Sequence, residues 1–355
     1  MDKLDKRDRR LAISIDAMGG DHGMRSSLPA VRRAAARHKA VDFILVGRED
    51  KLKRACKTLK MADVPNILIQ HASETVEMDE LPSVALRTKK DSSMRVAINL
   101  VKEGRANACV SAGNTGALMA TSRFVLKMLP GIDRPAIIFQ VPSYDLKTQT
   151  VGKVFMLDLG ANVDCTAEHL YQFAIMGAEL AKISGIENPR VGLLNIGEEE
   201  IKGLDSIKET AKRLQQDPGI NYIGFVEGNQ VYFQQADVVV CDGFVGNVAL
   251  KASEGVMKMF SQVIRAEIKN NFWLRPFALF ASPILSRVKK RLDLSQYNGA
   301  SLLGLRGTVL KSHGGADARA FETAILKAIH EAQNNVPEAI HHRIEAILGH
   351  EAVQR

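Results

Sequence analysis

The 355-residue sequence has few cysteines, few aromatic residues and no long apolar run. Its four cysteines lie far apart and form no CxxC pair, which argues against a zinc finger and favours buried, reduced thiols. No apolar segment approaches the length of a membrane span, and the first ten residues, MDKLDKRDRR, lack the apolar stretch of a secretory signal. With 5% aromatic residues and no RNP-like pattern, nucleic acid is not an expected partner. These absences favour a cytoplasmic location.

The composition is that of a globular protein with an excess of positive charge. Hydrophobic residues make up 46% of the chain and charged residues 25%. The formal net charge of +8 favours acidic partners, such as phosphorylated ligands, acidic proteins or an anionic membrane surface. The length permits one large unit or two lobes, and no repeat or linker marks a boundary. We therefore treat residues 11–355 as a single α/β unit, preceded by a charged, flexible N-terminus at residues 1–10.

Strand-like and helix-like segments alternate along the chain. Apolar stretches at 11–16, 43–47 and 66–71 are typical of buried strands, and amphipathic stretches at 28–38 and 50–60 are typical of helices. This βαβαβ order predicts an α/β fold with a mostly parallel sheet.

One pattern recurs: a buried strand, a glycine-rich turn and the start of a helix. Its clearest example is residues 236–251, ADVVVCDGFVGNVALK, which predicts a strand at 237–241, a loop at 242–247 and a helix to about residue 268. The other examples lie at 13–21, 108–116, 155–162 and 307–317. A helix start leaves backbone N–H groups without partners and carries a positive partial charge, so it attracts anions. We expect these strand ends to gather around one anion site.

Residues 265–292 differ in composition from the rest of the chain. They hold the only tryptophan, and basic residues flank an apolar segment with Phe272, Trp273, Phe277 and Phe280. We predict a helical hairpin inserted at 248–298 with these four side chains at its tip. A dimer interface is one interpretation of the tip. Contact with an anionic membrane surface is the other, because aromatic anchors with basic flanks suit it.

Six motifs in order resemble the PlsX-type phosphate acyltransferases, over nearly the whole chain from about residue 12 to residue 332. They are DAMGGD at 16–21, SAGNTGA at 111–117, LDLGAN at 157–162, NIGEEEIKG at 195–203, CDGFVGN at 241–247 and HGGAD at 313–317. The resemblance implies a three-layer α/β/α fold with a mostly parallel sheet, like that of isopropylmalate dehydrogenase and phosphotransacetylase. It also implies a homodimer that associates peripherally with the membrane.

The activity implied by the resemblance is reversible transfer of a fatty acyl group from acyl carrier protein to inorganic phosphate, which yields acyl phosphate for phospholipid synthesis. A membrane-bound glycerol-3-phosphate acyltransferase would consume the product. Phosphate is already an oxyanion nucleophile, so no metal, cofactor or covalent acyl-enzyme is expected.

Two alternatives stay open. One is a cysteine acyl-enzyme mechanism at Cys241 or Cys109, and the other is a different function, that of an NAD- and metal-dependent dehydrogenase of the isopropylmalate type. The turn at 16–21 is not GxGxxG, which counts against the dehydrogenase. A non-enzymatic membrane scaffold is a third possibility.

Lys202 and Asn247 match the positions treated as catalytic in the resembled family, where they would supply a charge and a directional donor. Taken alone, Lys202 is also explained as a solvated surface residue and Asn247 as a helix N-cap. The glycine-rich turns supply the expected phosphate- and substrate-binding residues, which are Asp16, Gly19, Gly20, Asp21, Gly113, Asn114, Thr115, Gly160, Asn162, Asp242, Gly243, Gly246, His313, Gly314 and Gly315.

Carboxylates at four strand ends would repel a phosphate if all of them faced it. These are Asp16, Asp21, Asp158 and Asp242. We expect some of them to orient donors or to cap helices, and a Mg²⁺ site is the alternative. His313 has two interpretations as well, as a phosphate ligand or proton shuttle and as a structural loop residue.

Overall fold

The computed structural model describes residues 10–271, 273–292 and 294–353. Its strands are β1 (Leu11–Asp16), β2 (Val41–Gly47), β3 (Ile67–His71), β4 (Ala108–Ser111), β5 (Ala136–Asp145), β6 (Thr150–Leu157), β7 (Arg190–Asn195), β8 (Asn221–Glu227), β9 (Val238–Val240), β10 (Ala300–Leu303) and β11 (Thr308–Lys311). Its helices are α1 (Met24–Arg37), α2 (Glu49–Thr58), α3 (Pro82–Thr88), α4 (Ser93–Lys102), α5 (Thr115–Leu126), α6 (Ala167–Ile183), α7 (Asp205–Gln216), α8 (Gly243–Asn270), α9 (Leu274–Leu292), α10 (Ala318–Gln333) and α11 (Val336–Val353).

The strands form one continuous sheet in the order β3-β2-β1-β4-β11-β10-β5-β6-β9-β7-β8. The pairings are parallel except for three successive ones in the middle, β11 with β10, β10 with β5 and β5 with β6. Three reversals are an odd number, so the two parallel halves run in opposite directions. We call β3, β2, β1, β4 and β11 the first half-sheet, and β6, β9, β7 and β8 the second. The carboxyl ends of the two half-sheets therefore emerge at opposite edges.

Helices cover both faces of the sheet, which gives the three layers expected from the sequence. One face, which we call the α10 face, packs against α1, α2 and α10 over the first half-sheet and against α6, α7 and α11 over the second. The other, which we call the α5 face, packs against α3, α4 and α5 over the first half-sheet and against α8 over the second. The register Leu310–Ser301–Ile138 continues the α10 face across the middle of the sheet. The prediction of a three-layer α/β fold with a mostly parallel sheet is confirmed.

The sequence predicts strands at 136–141 and 153–159, separated by residues 142–152, and a loop at 242–247, and the structure differs at both places. The antiparallel strands β5 and β6 continue through Pro142, which pairs with Lys153. This is possible because β5 pairs with β10 only at residues 136–138. At Pro142 no strand of the described chain lies on that side, so the missing proline N–H removes no hydrogen bond from the sheet. The expected loop at 242–247 is largely helical, since α8 already begins at Gly243. Asp242 is its N-cap, and its carboxylate accepts from the Val245 N–H at 2.8 Å. The interpretation of Asn247 as the N-cap is therefore wrong.

The helices α8 and α9 occupy the segment predicted as a helical hairpin, and they contact each other. Trp273 is 75% exposed and Phe280 is 83% exposed. Phe272 and the side chain of Phe277 lie outside the described residues. Within the described ranges, no helix combines the length and the apolar composition needed to cross a membrane.

Asp158 is a buried carboxylate that holds the middle of the sheet together. Its side chain accepts from the backbone N–H groups of Ile137 at 2.9 Å, Ala161 at 3.1 Å and Asn162 at 2.7 Å. Burial raises the pKa of Asp158, and these donors oppose that shift by favouring the charged form. The carboxylate thereby joins the start of β5 to the glycine-rich turn after β6.

We predict that Asp158→Ala lowers the free energy of unfolding by about 3 kcal/mol or more, because it leaves buried N–H groups without an acceptor. Urea denaturation measures this change. The matched control is Asp205→Ala, because the fully exposed carboxylate of Asp205 makes only a surface ion pair with Lys208 and its loss should leave the free energy of unfolding nearly unchanged. Equal effects of the two substitutions would contradict the structural role of Asp158.

Candidate active site

The glycine-rich turns at 16–21, 111–116 and 313–317 form one contiguous group at the carboxyl edge of the first half-sheet. The Asp21 N–H donates to the Gly314 carbonyl oxygen at 2.9 Å. A Cβ on Gly19 would lie 2.9 Å from the Gly113 nitrogen, so only glycine permits this close approach. A Cβ on Gly20 would lie 3.0 Å from the Gly314 oxygen. These three turns meet as the sequence predicts.

The carboxylate of Asp16 holds this group of turns together through hydrogen bonds. It is 1% exposed, and its carboxylate accepts from the hydroxyls of Ser93 and Ser111, each at 2.6 Å. It also accepts from the Gly19 N–H at 3.2 Å. Because its oxygens already have donors from three segments, Asp16 orients the turns and does not face the cleft described below. The expectation that some strand-end carboxylates orient donors therefore applies to Asp16 and Asp158.

The turns at 157–162 and 241–247 form a second group at the carboxyl edge of the second half-sheet. The Gly243 N–H donates to the Asn162 carbonyl oxygen at 2.7 Å. A Cβ on Gly246 would lie 2.0 Å from the Asp158 carbonyl oxygen, a distance that only glycine avoids. Asn247 lies beside Gly160, with its Nδ2 atom 3.7 Å from where a Gly160 Cβ would be. Several N–H groups of this α8 start therefore already have protein acceptors.

Asn162 is buried within the second group. Its Nδ2 group donates to the Pro135 carbonyl oxygen at 2.7 Å and to the Asp158 carboxylate at 2.9 Å. In the first group, Asn114 caps α5, because its side-chain oxygen accepts from the Ala117 N–H at 3.0 Å. Both asparagines are thus occupied in holding their turns.

Lys202 lies on the turn after β7, which neighbours β9 in the second half-sheet. The Asn195 Nδ2 group holds this turn by donating to the carbonyl oxygens of Gly197 and Lys202. The Lys202 ammonium pairs with Glu199 at 2.8 Å. This hydrogen-bonded partner raises the pKa of Lys202. Lys202 is therefore a charged, accessible group at the same edge as Asn247.

A cleft of about 710 Å³ lies on the α5 face, above β10 and β5 and between α5 and α8. The first group of turns forms one wall, with Asp21, Thr115, His313, Gly314 and Gly315. The opposite wall consists of Leu159 and the α8 residues Leu250, Lys251 and Glu254. The two groups of turns therefore lie on opposite sides of one cleft. The sequence predicts instead that all of these strand ends gather around one anion site.

Several predicted site residues do not line this cleft. Among the residues that the structure describes, the cleft walls include neither Lys202 nor Asn247. Asn247 approaches the cleft indirectly, since it contacts Gly160, the neighbour of the wall residue Leu159. Asp16, Gly19, Gly20, Gly113 and Asn114 support the first group from outside the cleft, and Asn162, Asp242, Gly243 and Gly246 support the second.

Sequence reasoning missed Lys311, a buried lysine in the cleft wall. Lys311 ends β11, is 8% exposed and donates from Nζ to the carbonyl oxygens of Ala112 and Ser312. An ammonium has three donors, so one remains for a ligand in the cleft. Burial lowers the pKa of Lys311 to about 8, although the charges of Asp16 and Asp21 act in the opposite direction. The available signal was a charged residue that closes an otherwise apolar strand, TVLK.

Two helices begin at the cleft and add positive partial charge there. The N-terminus of α5 lies at Thr115 and that of α10 follows Asp317, and both residues line the cleft. The Gly315 N–H donates to Nδ1 of His313 at 3.1 Å, so the neutral ring carries its proton on Nε2 and can donate it to a ligand. The wall thus combines an ammonium, an imidazole and the start of α5, a set that suits a small oxyanion, whereas the first N–H groups of α10 already donate to the Asp317 carboxylate.

The four cysteines are buried. Burial raises the pKa of Cys109, Cys165 and Cys241, and for Cys241 nearby carboxylates add to the effect. Since the thiolate is the reactive form, these environments disfavour a cysteine nucleophile.

The chain matches a known protein family and a curated relative over most of its length. The family described as fatty acid synthesis protein matches residues 11–339. A phosphate acyltransferase of Francisella tularensis subsp. tularensis is 54% identical over 344 residues, which cover 95% of this chain and 99% of that protein.

Solved structures show the same fold at low sequence identity. A phosphotransacetylase from Streptococcus pyogenes aligns with a TM-score of 0.61 and 19% identity, over 92% of this chain and 94% of that one. A branched-chain phosphotransacylase from Enterococcus faecalis V583 aligns with a TM-score of 0.55 and 13% identity, over 91% of this chain and 99% of that one. The expected likeness to phosphotransacetylase in fold is confirmed.

We predict that Lys311→Met weakens the binding of inorganic phosphate about ten- to hundredfold, because it removes a charge-assisted hydrogen bond. In the unsubstituted protein the Kd should also rise as the pH increases through about 8, where Lys311 loses its proton. Calorimetric titration between pH 7 and 9 measures both effects. The variant should lack this pH-dependent loss, and Lys208→Met on the surface of α7 should bind like the unsubstituted protein. An unchanged Kd in Lys311→Met would exclude Lys311 from the phosphate site.

Proposed function

The chain belongs to the family of PlsX-type phosphate acyltransferases, and we propose that it transfers a fatty acyl group from acyl carrier protein to inorganic phosphate. Its family and its likeness to phosphate acyltransferases make it an acyltransferase that acts with phosphate. The identity of the acyl donor, the mechanism and the role in phospholipid synthesis belong to the proposal. The observation that carries it is the cleft, where Lys311, His313 and the start of α5 converge on space for a small oxyanion.

In the proposed reaction, a phosphate oxygen attacks the carbonyl carbon of the thioester. A C–O bond forms, the C–S bond breaks, and the thiolate of the carrier leaves and takes up a proton. The nucleophile needs no activation by a base, because phosphate is already anionic near neutral pH. The protein has to hold the anion against the carbonyl and stabilise the negative charge that develops on the carbonyl oxygen.

Lys311, His313 and Thr115 supply the phosphate contacts in this proposal, since all three line the cleft. Lys202 and Asn247 keep the catalytic assignment that the resemblance implies. They lie on the side of Leu159, where the carrier and its thioester would approach, and their donors suit the developing oxyanion. This division gives the two groups of turns separate tasks.

The proposed partners follow from charge and from the family. The net charge of +8 suits an acidic carrier protein, and this association should weaken with salt. A homodimer, peripheral contact with an anionic membrane and delivery of the product to a membrane-bound glycerol-3-phosphate acyltransferase complete the proposal. The exposed apolar side chains of α8 that lie outside the cleft and the groove, among them Val248, Phe260 and Val263, offer a surface for the dimer.

The direct test is to incubate the protein with an acyl thioester of acyl carrier protein and labelled phosphate. Labelled acyl phosphate and free carrier are expected in equal amounts. Titration with NADH and a divalent metal addresses the dehydrogenase alternative. Tight, saturable NADH binding without acyl phosphate formation would overturn the proposal.

We predict that Lys202→Ala and Asn247→Ala each lower kcat/KM for acyl phosphate formation by about a hundredfold or more, as loss of an oxyanion donor does. Both variants should keep the circular dichroism and oligomeric state of the unsubstituted protein. Lys208→Ala is the matched control, because Lys208 also forms an i,i+3 surface ion pair, with Asp205. Full activity of either site variant would remove that residue from the mechanism.

We predict that the double variant Trp273→Ser, Phe280→Ser lowers binding to anionic vesicles by about tenfold or more, because two aromatic anchors no longer enter the lipid. Vesicle flotation measures the bound fraction. The control Leu81→Ser, Leu146→Ser removes two side chains that are 66% and 67% exposed elsewhere on the surface. Unchanged flotation of the tip variant would refute membrane contact through this segment, and unchanged activity in solution would show that anchoring and chemistry are separable.

A further inference from the structure

An apolar groove of about 450 Å³ adjoins the cleft on the α5 face. It lies between the far half of β5 and the middle of α8. Its lining includes Val141, Pro142, Tyr232, Phe233, Val256 and Met257. The groove and the cleft thus differ in chemistry, since the cleft presents Lys311, Lys251 and His313.

The strand β5 forms a continuous floor beneath both spaces. Side chains two residues apart on a strand point to the same face. Ile137 and Phe139 line the cleft, and the next two residues on that face, Val141 and Ser143, line the groove. A ligand lying along this face of β5 can therefore pass from the cleft into the groove without crossing the sheet.

The helix α8 forms a shared wall. Leu250 and Glu254, one helical turn apart, line both spaces. On the same helix, Ser253 lines only the groove, and so do Val256 and Met257 beyond Glu254. The two spaces are therefore adjacent along the helix as well as along the strand.

The groove offers few polar groups to a ligand. The Tyr232 hydroxyl bonds to Ser253 Oγ at 2.5 Å, and Ser253 Oγ donates to the Ala249 carbonyl oxygen at 2.8 Å. Glu254 stands at the mouth, where the groove joins the cleft. Ser143 contributes one buried hydroxyl, for which no partner is found among the described residues. A hydrocarbon chain suits such a lining, because it needs no hydrogen bonds and buries apolar surface on both sides.

We infer that this groove holds the fatty acyl chain of the substrate while its carbonyl group lies in the cleft. The inference rests on the proposed function, and it names the part of the protein that selects chain length. From Ile137 to Ser143 the floor extends six residues, about 20 Å at the usual strand rise. An extended chain of about 16 carbons has the same length, given C–C bonds of about 1.5 Å in a zigzag. Met257 is half-buried and is the last residue of α8 that lines the groove, so its flexible side chain is positioned to limit the length of the chain.

The test compares palmitoyl and butyryl thioesters of acyl carrier protein, because only the longer chain reaches the groove. Met257→Trp fills the groove, so the ratio of kcat/KM for palmitoyl to that for butyryl should fall by about tenfold or more. Met259→Trp is the matched control. Met259 lies two residues further along α8, is 59% exposed and lines neither space, so its ratio should stay within about twofold.

An unchanged ratio in Met257→Trp, or an equal fall for both substrates in a folded variant, would overturn the inference. A changed oligomeric state with an unchanged ratio would overturn it too, and would make the groove part of an interface between copies of the chain. Should Met257→Trp fail to fold, Met257→Ala enlarges the groove and should raise the ratio of stearoyl to palmitoyl activity; no rise would reject the site.

Failure of the proposed function gives a different result. In that case the unsubstituted protein forms no acyl phosphate from either thioester. Titration with palmitate by calorimetry then tests the groove by itself. Binding that Met257→Trp weakens, and that Met259→Trp leaves intact, would retain the groove as an alkyl-chain site. Absence of palmitate binding would eliminate it.

Discussion

Three consecutive antiparallel pairings in the middle of the sheet govern the rest of the structure. Because β10 and β5 join two parallel half-sheets that run in opposite directions, the strand ends of each half gather at a different edge. The turns of the first half-sheet bring cationic groups and helix starts to one side of the cleft. The turns of the second bring Leu159, with Asn247 behind it, to the other. The middle strands form the floor on which an anion and an acyl group can meet.

Buried carboxylates and glycines keep these turns in place. Asp16 accepts from two serine hydroxyls in the first group, and Asp158 accepts from three backbone N–H groups in the second. The donors around Asp16 and Asp158 keep these two carboxylates away from the cleft. Of the aspartates in the described part of the chain, only the more exposed Asp21 and Asp317 line it and could repel a bound phosphate. Close contacts, such as Gly246 against the Asp158 carbonyl, exclude any side chain at those positions. The aspartates and glycines of these motifs therefore mainly stabilise the turns, and only some of them line the cleft where a ligand can bind.

Much of the fold was predictable from residues close together in the chain. Alternating apolar segments identified the α/β class, and the glycine-rich turns at 16–21, 111–116 and 313–317 indicated a common edge. Asp21, Thr115 and His313 do line the cleft. Lys311 was missed because a lysine at a strand end is usually solvated, and only its burial against Ala112 makes it a cleft residue. The reversal between the half-sheets was also out of reach, since no local pattern reports whether β6 runs with or against β11.

Local sequence thus decided the elements and their caps: Asp242, Asn114 and Asp317 begin helices because their side chains bond N–H groups two or three residues away. It also decided where only glycine fits, through backbone contacts that short motifs encode. Tertiary structure alone decided which turns face each other, the lowered pKa of Lys311 and the continuity of cleft and groove along β5. These properties depend on groups far apart in the chain, such as Phe139 and Leu250, whose proximity arises only when the sheet and α8 pack together.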